Sequence, residues 1–250
     1  MTGVSTIGAV VLAGGFGTRL APLTDDTPKP LLMVGEAAVA SHLLDRLGEL
    51  RNLQQVVVVV NDQHLEQWHR WNHERRQDVP VLIVSNGALT NDDRPGAVVD
   101  MARGIAALDP VDWITVLAGD NLLDEALQPH VDAAANAGQA VVLCRDLGTE
   151  VPPGRFGEVT VDDNGLVTRF REKPAEPDSP LAATCSYVLP GSVGASLEQY
   201  LTSDGDPDSP GTFIGWLIGR QPVMARPLRG RYFDIGNHAT LATARRQWMS

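Results

Sequence analysis

The sequence predicts an α/β fold, a mostly parallel sheet covered by helices with an antiparallel portion in its second half. Three observations carry this. Residues 9–13, 56–60 and 113–117 are apolar runs without polar alternation, as expected of strands buried on both faces. Between them lie stretches of helical periodicity. After residues 140–144 the alternation weakens, and residues 156–170 read as a hairpin turning at Asn164-Gly165.

Taken in order, the first strand runs into Gly14-Gly15-Phe16-Gly17-Thr18-Arg19-Leu20, followed by Thr27-Pro28-Lys29-Pro30-Leu31. Residues 38–50 place Leu43, Leu44 and Leu47 on one helical face. The β-branched run 56–60 ends at Asn61-Asp62, a cap for a helix with Leu65, Trp68 and Trp71 at core spacing. That helix also carries His69 and His73, with His64 nearby. No carboxylate–histidine signature accompanies them, which favours a solvated face over a metal site. Residues 79–84 give a third strand, 85–96 a polar loop and 97–108 a helix. The strand at 113–117 delivers Gly119-Asp120-Asn121 at its carboxyl end, the rim where ligands gather in open α/β sheets. Beyond the hairpin come Arg171-Glu172-Lys173-Pro174, a strand at 183–189, a short helix at 213–218 and the stretch 223–227. Asp234-Ile235-Gly236 precedes a final helix from about His238.

Three glycines within four positions let the backbone turn tightly and bring its N–H groups against an anion. Two phosphate-binding motifs are excluded at this loop. No Lys-Ser/Thr pair follows Gly17 as a P-loop requires, and Leu20 stands where a dinucleotide fingerprint needs its third glycine.

A chain of 250 residues can bury one substantial core, and its 43% hydrophobic content is that of a globular protein. The net charge of −11 argues against general nucleic-acid binding and against a polybasic membrane surface. An acidic protein that binds phosphates must gather its few cations at the site or recruit a metal. The cysteines, Cys144 and Cys185, form no Cys-x-x-Cys pair, and no signal peptide or membrane-spanning stretch is expected, so a cytoplasmic setting is predicted.

The four motifs together, in this order, resemble the sugar-phosphate nucleotidyltransferases. They are Leu12-Ala13-Gly14-Gly15-Phe16-Gly17-Thr18-Arg19-Leu20 with Pro28-Lys29-Pro30-Leu31, Gly119-Asp120-Asn121, Glu172-Lys173-Pro174, and Asp234-Ile235-Gly236. The resemblance implies a Rossmann-like three-layer sandwich with an inserted antiparallel sugar-binding portion, one domain over 1–250. Residues up to about 140 would form the nucleotide-binding half and about 141–250 the sugar-phosphate half. It implies Mg²⁺ and transfer of a nucleotidyl group from a nucleoside triphosphate to a sugar 1-phosphate. By the same resemblance Leu12, Ala13, Gly14, Gly15, Gly17 and Thr18 hold the nucleotide, with Arg19 and Lys29 on its phosphates. Asp120 and Asp234 hold the metal, and Gly157, Glu172, Lys173, Thr184 and Tyr187 meet the sugar phosphate. Arg19, Lys29 and Asp120 are then the catalytic set.

Some positions depart from the family. Met33 stands where proline is usual, and Gly35-Glu36-Ala37-Ala38 lacks the Pro-Leu segment; these alter a turn. Residues 91–96 do not match the base-reading pattern of thymidylyltransferases, so Asn91 or Arg94, with Gly96, is expected to take over that contact. The resemblance points to dTTP or UTP, with GTP next. No β-helix repeats follow Gly236, so a bifunctional acetyltransferase is not expected; whether the protein is a homo-oligomer stays open.

The chemistry fits these residue types. The nucleophile, a sugar-phosphate oxygen, is already ionised at neutral pH, so no general base is needed, and no histidine lies in any motif. Two other activities fit the motifs less well. A metal-dependent glycosyltransferase would usually show Asp-x-Asp, which Gly119-Asp120-Asn121 lacks. A non-catalytic, nucleotide-sugar-binding regulatory relative would be expected to have lost Arg19, Lys29 or one of the aspartates.

Overall fold

The computed structural model describes residues 5–149 and 151–248; positions 1–4, 150 and 249–250 of the predicted 1–250 domain lie outside the described residues. The first half contains β1 (Ile7–Ala13), β2 (Met33–Val34), β3 (Ala37–Ala38), α1 (Val39–Gly48), β4 (Leu53–Val60), α2 (Leu65–Glu74), β5 (Val81–Ser85), α3 (Ala97–Ala106), β6 (Trp113–Ala118), β7 (Asn121–Leu123) and α4 (Gln128–Ala137). The second half contains β8 (Ala140–Asp146), β9 (Glu158–Val161), β10 (Val167–Arg171), β11 (Leu181–Pro190), α5 (Val193–Thr202), α6 (Pro210–Leu217), β12 (Val223–Pro227), β13 (Tyr232–Asp234) and α7 (His238–Gln247).

A nine-stranded sheet runs β10-β9-β11-β6-β1-β4-β5, with β8 pairing both β11 and β12. Strands β6, β1, β4 and β5 are parallel, and β11 enters antiparallel to β6, β8 and β9. The predicted strands and the hairpin are therefore present, and the fold is the expected α/β class. Successive side chains of β1 serve two cores, as a strand's period of two demands. Ala9 and Val11 meet α1, α2 and α4 on one face, while Val10 meets α3, α5 and α6 on the other. That is the three-layer arrangement. A smaller third cluster joins Leu20, Leu32, Val34, Val39, Leu122, Ile235, Leu241 and Ala244, seating α7 against the short β7–β13 pair.

Local chemistry explains the boundaries. The Asn61 side chain accepts the His64 N–H at 3.1 Å, so the predicted cap is made, on a single 3₁₀ turn before α2. Asn237 opens α7 with a capping box closed by Thr240. At the hairpin turn the Asp162 carboxylate accepts the N–H groups of Asn164 and Leu166, both at 2.9 Å. His69 and His73 are exposed, and among the described residues no group of three or more histidines, cysteines or acids could hold a metal ion. No described helix is long and apolar enough to cross a membrane.

Candidate active site

Strand β1 ends at the glycine loop, and the parallel neighbour β6 ends beside it. The Gly119 N–H donates to the Leu12 carbonyl at 2.8 Å, which brings Asp120 next to the loop. A 3₁₀ turn over Lys29–Leu31 carries Lys29 in from the other side, and its ammonium is ion-paired with the Asp120 carboxylate. Arg19 sits on a second 3₁₀ turn, Thr18–Leu20, which follows Gly17 in the left-handed conformation (φ 64°). The Arg19 guanidinium has no hydrogen bond or ion pair among the described residues.

Asp234 reaches the same place from the far end of the chain. Strands β13 and β7 pair antiparallel with Asp234 opposite Asn121, and the Ile235 N–H donates to the Asp120 carbonyl at 3.1 Å. Burial raises the Asp234 carboxyl above its ordinary range, and the Asp120 charge raises it further. Lys29, Arg19 and Arg155 pull the other way. Two carboxylates therefore converge at one point with cations around them.

Asn121, in the sequence simply the third residue of its motif, ties the site together. Its amide donates to the Thr184 carbonyl at 2.6 Å, and its own carbonyl accepts the Tyr232 hydroxyl at 3.0 Å. The bonds fasten β7 and β13 to β11 and so fix Asp120 relative to Asp234. The Thr184 hydroxyl is spent on the Leu143 carbonyl at 2.9 Å, which leaves its backbone as the anchoring group.

These residues open on a cleft of about 570 Å³. Arg19, Asp120, Asp234 and Gly236 line it toward the glycine loop. Gly157, Glu172, Lys173, Thr184 and Tyr187 line it at the hairpin and β11. Burial raises the Glu172 carboxyl and the charge of Lys173 opposes it, the ammonium lying 3.5 Å from Glu172 Oε1. Eight of the residues assigned from sequence thus share one concavity. Leu12, Ala13, Gly14, Gly15, Gly17 and Thr18 flank it without lining it, whereas Asn91, Arg94 and Gly96 bound a separate recess of about 340 Å³, where Arg94 is ion-paired with Asp208 at 2.8 Å. Asp208 lines both spaces. Arg155 and Cys185 also line the cleft and were not expected; Cys185 sits at the β11 register shift with φ 51°. A cation between the two glycines of Gly154-Arg155-Phe156-Gly157 was the available signal for the first.

Behind the glycine loop lies a second polar layer. The Asn61 amide donates to the Gly15 carbonyl at 3.3 Å while its oxygen holds His64. Asp100, buried in the first turn of α3, accepts from Asn86 Nδ2 at 3.1 and 3.0 Å. Burial lifts the Asp100 carboxyl from 3.8 to about 6, against the Asn86 bonds and the Arg103 charge. The native state therefore holds this proton where the unfolded chain has lost it, and stability falls as pH rises between those values. A rise of about two units, at about 1.4 kcal/mol per unit, costs at most about 3 kcal/mol above pH 6. Asp100→Asn should accordingly gain stability over the wild type between pH 4 and pH 7 in denaturant unfolding. An equal difference at both pH values would contradict it.

The nucleotidyl transferase family model matches residues 8–250. The chain belongs to this family. Among curated relatives, a glucose-1-phosphate adenylyltransferase of Fusobacterium nucleatum is 27% identical, over 91% of this chain and 63% of its own length. A UTP–glucose-1-phosphate uridylyltransferase of Synechocystis is 28% identical, over 91% of this chain and 60% of its own length. The chain thus spans less than two thirds of these nucleotidyl transferases. A solved Bacillus anthracis structure, assigned as a glucose-1-phosphate thymidylyltransferase, superposes with TM-score 0.83 at 23% identity, covering 96% of this chain and 94% of the other. At that identity the superposition establishes the fold.

Proposed function

We propose that this nucleotidyl transferase moves a nucleotidyl group from a nucleoside triphosphate to a sugar 1-phosphate. One observation carries the reading: a single cleft joins Arg19, Asp120 and Asp234 at one end to Glu172 and Lys173 at the other. An ionised oxygen of the sugar phosphate attacks the α-phosphorus in line. The bond to the β-phosphate bridging oxygen breaks, and pyrophosphate leaves with that electron pair. No proton need be removed first, so the protein's task is positioning and charge neutralisation.

Lys173 draws the sugar phosphate in while Glu172 bonds a sugar hydroxyl; Gly157, Thr184 and Tyr187 shape that end. Arg19 forks onto phosphate oxygens, and Lys29 exchanges its Asp120 partner for the triphosphate. The glycine loop, Leu12 to Thr18, holds the nucleotide through its backbone. Asp120 and Asp234 suit Mg²⁺, because that ion takes few carboxylates and completes its shell with water and phosphate oxygens. Bound there, Mg²⁺ would supply charge neutralisation at the transferring phosphoryl group. The two halves, to about 140 and from about 141, divide the substrates accordingly. The names of the relatives span adenylyl and uridylyl transfer to glucose 1-phosphate. For this chain dTTP or UTP comes first and GTP next, in a cytoplasmic setting.

Pyrophosphate release, measured across the common nucleoside triphosphates and sugar 1-phosphates, tests this. One pair is expected to dominate, and release with none of them would sink the proposal. Activity should also vanish on adding a chelator and return with excess Mg²⁺; a chelator-resistant rate would remove the metal from the reading.

A further inference from the structure

The cleft has an annex of about 250 Å³ that no motif accounts for. Arg145, Phe233 and Thr243 bound it away from the cleft, while Arg155, Phe156, Tyr232 and Asp234 line both spaces, so the two adjoin. Every lining residue lies beyond position 140, in the half assigned to the sugar phosphate, and none belongs to the glycine loop. Phe156 directly precedes Gly157 of the sugar end. Arg145 pairs with Ala182 on β11, the strand that carries Thr184 and Tyr187 into that same end. The annex is therefore an extension of the acceptor's side of the cleft.

In a chain with 31 acidic and 20 basic side chains, two guanidiniums face this space against one carboxylate, Asp234. Arg145 lies over the Tyr232 ring at 5.7 Å and Arg155 over the Phe156 ring at 4.9 Å. Neither side chain has a hydrogen bond or ion pair among the described residues. Nearby arginines of the same portion are tied up instead: Arg171 is bonded to Glu158 at 2.8 Å and Arg231 to Asp124 at 2.6 Å. The platform under Arg145 is fixed, because the Tyr232 hydroxyl donates to the Asn121 side-chain carbonyl at 3.0 Å. A guanidinium resting on a ring face keeps its N–H donors around its edge, in the planar fork that meets carboxylate and phosphate oxygens.

We propose that Arg145, with Arg155, receives a second anionic group of the acceptor: a carboxylate or a further phosphate that the sugar carries besides its reacting 1-phosphate. The assignment rests on the proposed nucleotidyl transfer and names the class of sugar it uses. Position separates the two anions. The reacting phosphate must come up to Arg19 and Asp120, where the triphosphate is held, and these line the cleft but not the annex. Arg145 lines the annex but not the cleft, so an anion bound to it takes no part in the displacement. A neutral sugar would leave both forks without an acceptor, whereas a negative substituent pairs with them. With a net charge of −11 the protein as a whole repels such an acceptor, and a local pair of unspent cations offsets that repulsion where the substituent sits.

The test compares glucose 1-phosphate with glucuronic acid 1-phosphate and glucose 1,6-bisphosphate, which add a carboxylate and a phosphate, as acceptors in pyrophosphate release. For the wild-type chain kcat/KM should be about tenfold higher or more with one of the two acidic acceptors. In Arg145→Gln, checked for wild-type circular dichroism, KM for that acceptor should rise about tenfold, with partial recovery in Arg145→Lys. The KM values for glucose 1-phosphate and for the triphosphate should stay at the wild-type level. Which acidic acceptor responds tells carboxylate from phosphate. Equal use of all three acceptors by the wild type overturns the proposal. So does an equal rise in KM for glucose 1-phosphate in Arg145→Gln, which would seat the reacting phosphate on Arg145. Both results leave nucleotidyl transfer standing. Calorimetric titration with the same acceptors, without nucleotide, covers the converse. A chain that releases no pyrophosphate, yet binds an acidic acceptor about tenfold more weakly in Arg145→Gln, loses the reaction and keeps the subsite.

Discussion

Replacing Asp120 with asparagine, or Arg19 with alanine, is expected to lower turnover by about a hundredfold or more with the fold intact. The fold should survive because neither side chain supports it. Arg19 has no bonded partner among the described residues, and the Asp120 side chain bonds only Lys29, while its backbone carbonyl keeps the Ile235 bond. The chemistry should suffer because the reaction brings anions together. Two unit charges about 4 Å apart repel by about 4 kcal/mol at an effective dielectric near 20. The Asp120→Asn change keeps the shape of the side chain and loses the charge that would hold the metal. The Arg19→Ala change removes a planar fork that Lys29 cannot replace, since its ammonium is a single point of charge. Pyrophosphate release from purified variants, with circular dichroism alongside, checks both. Turnover near the wild-type level in both would end the assignment of this cleft.

How much of this was legible in the sequence depended on range. The strands at 56–60 and 113–117 declared themselves by composition, and the hairpin by Asn164-Gly165, because burial and turn chemistry act over a few residues. Strands β7 and β13 were not readable: each has three residues, and they form by pairing across more than a hundred positions. Helix α4 shows little in the sequence because its apolar face is little more than Val131 and Ala134, although Pro129 at its start and left-handed Gly138 at its end mark it. Helix α5, with Val193, Leu197 and Tyr200 buried at helical spacing, has a legible pattern although it is not among the expected elements. The same division holds at the site. Arg19, Lys29, Asp120, Glu172, Lys173 and Asp234 lie in local motifs. Asn121 bonded to Tyr232, and Arg145 over the same ring, are relations that only the assembled sheet creates.

The adjacent glycines of the loop should fail in opposite ways when changed to alanine. A Cβ at Gly14 would lie 2.2 Å from Asp100 Oδ2 and 2.5 Å from Asn86 Nδ2. Both are buried and bonded to each other, so neither can retreat cheaply, and overpacking of this kind costs about 1–3 kcal/mol. Gly14→Ala is expected to lower the unfolding midpoint and displace the loop together. At Gly15 a Cβ would meet nothing within 4 Å, and its φ is not positive. Neither crowding within the chain nor backbone conformation requires glycine there, so Gly15→Ala should change stability by no more than about 0.5 kcal/mol. What glycine preserves at that exposed position is the approach of something outside the chain to the backbone. KM for the triphosphate should then rise about tenfold in Gly15→Ala, a loss of about 1.4 kcal/mol in binding. Thermal melts and triphosphate titrations on the two variants separate the cases. Equal destabilisation of both, or wild-type KM in Gly15→Ala, would reduce the loop to a strand-to-turn junction. A stable Gly15→Ala variant that binds triphosphate poorly would place the phosphates on that backbone, because no other atom of the chain competes for the space.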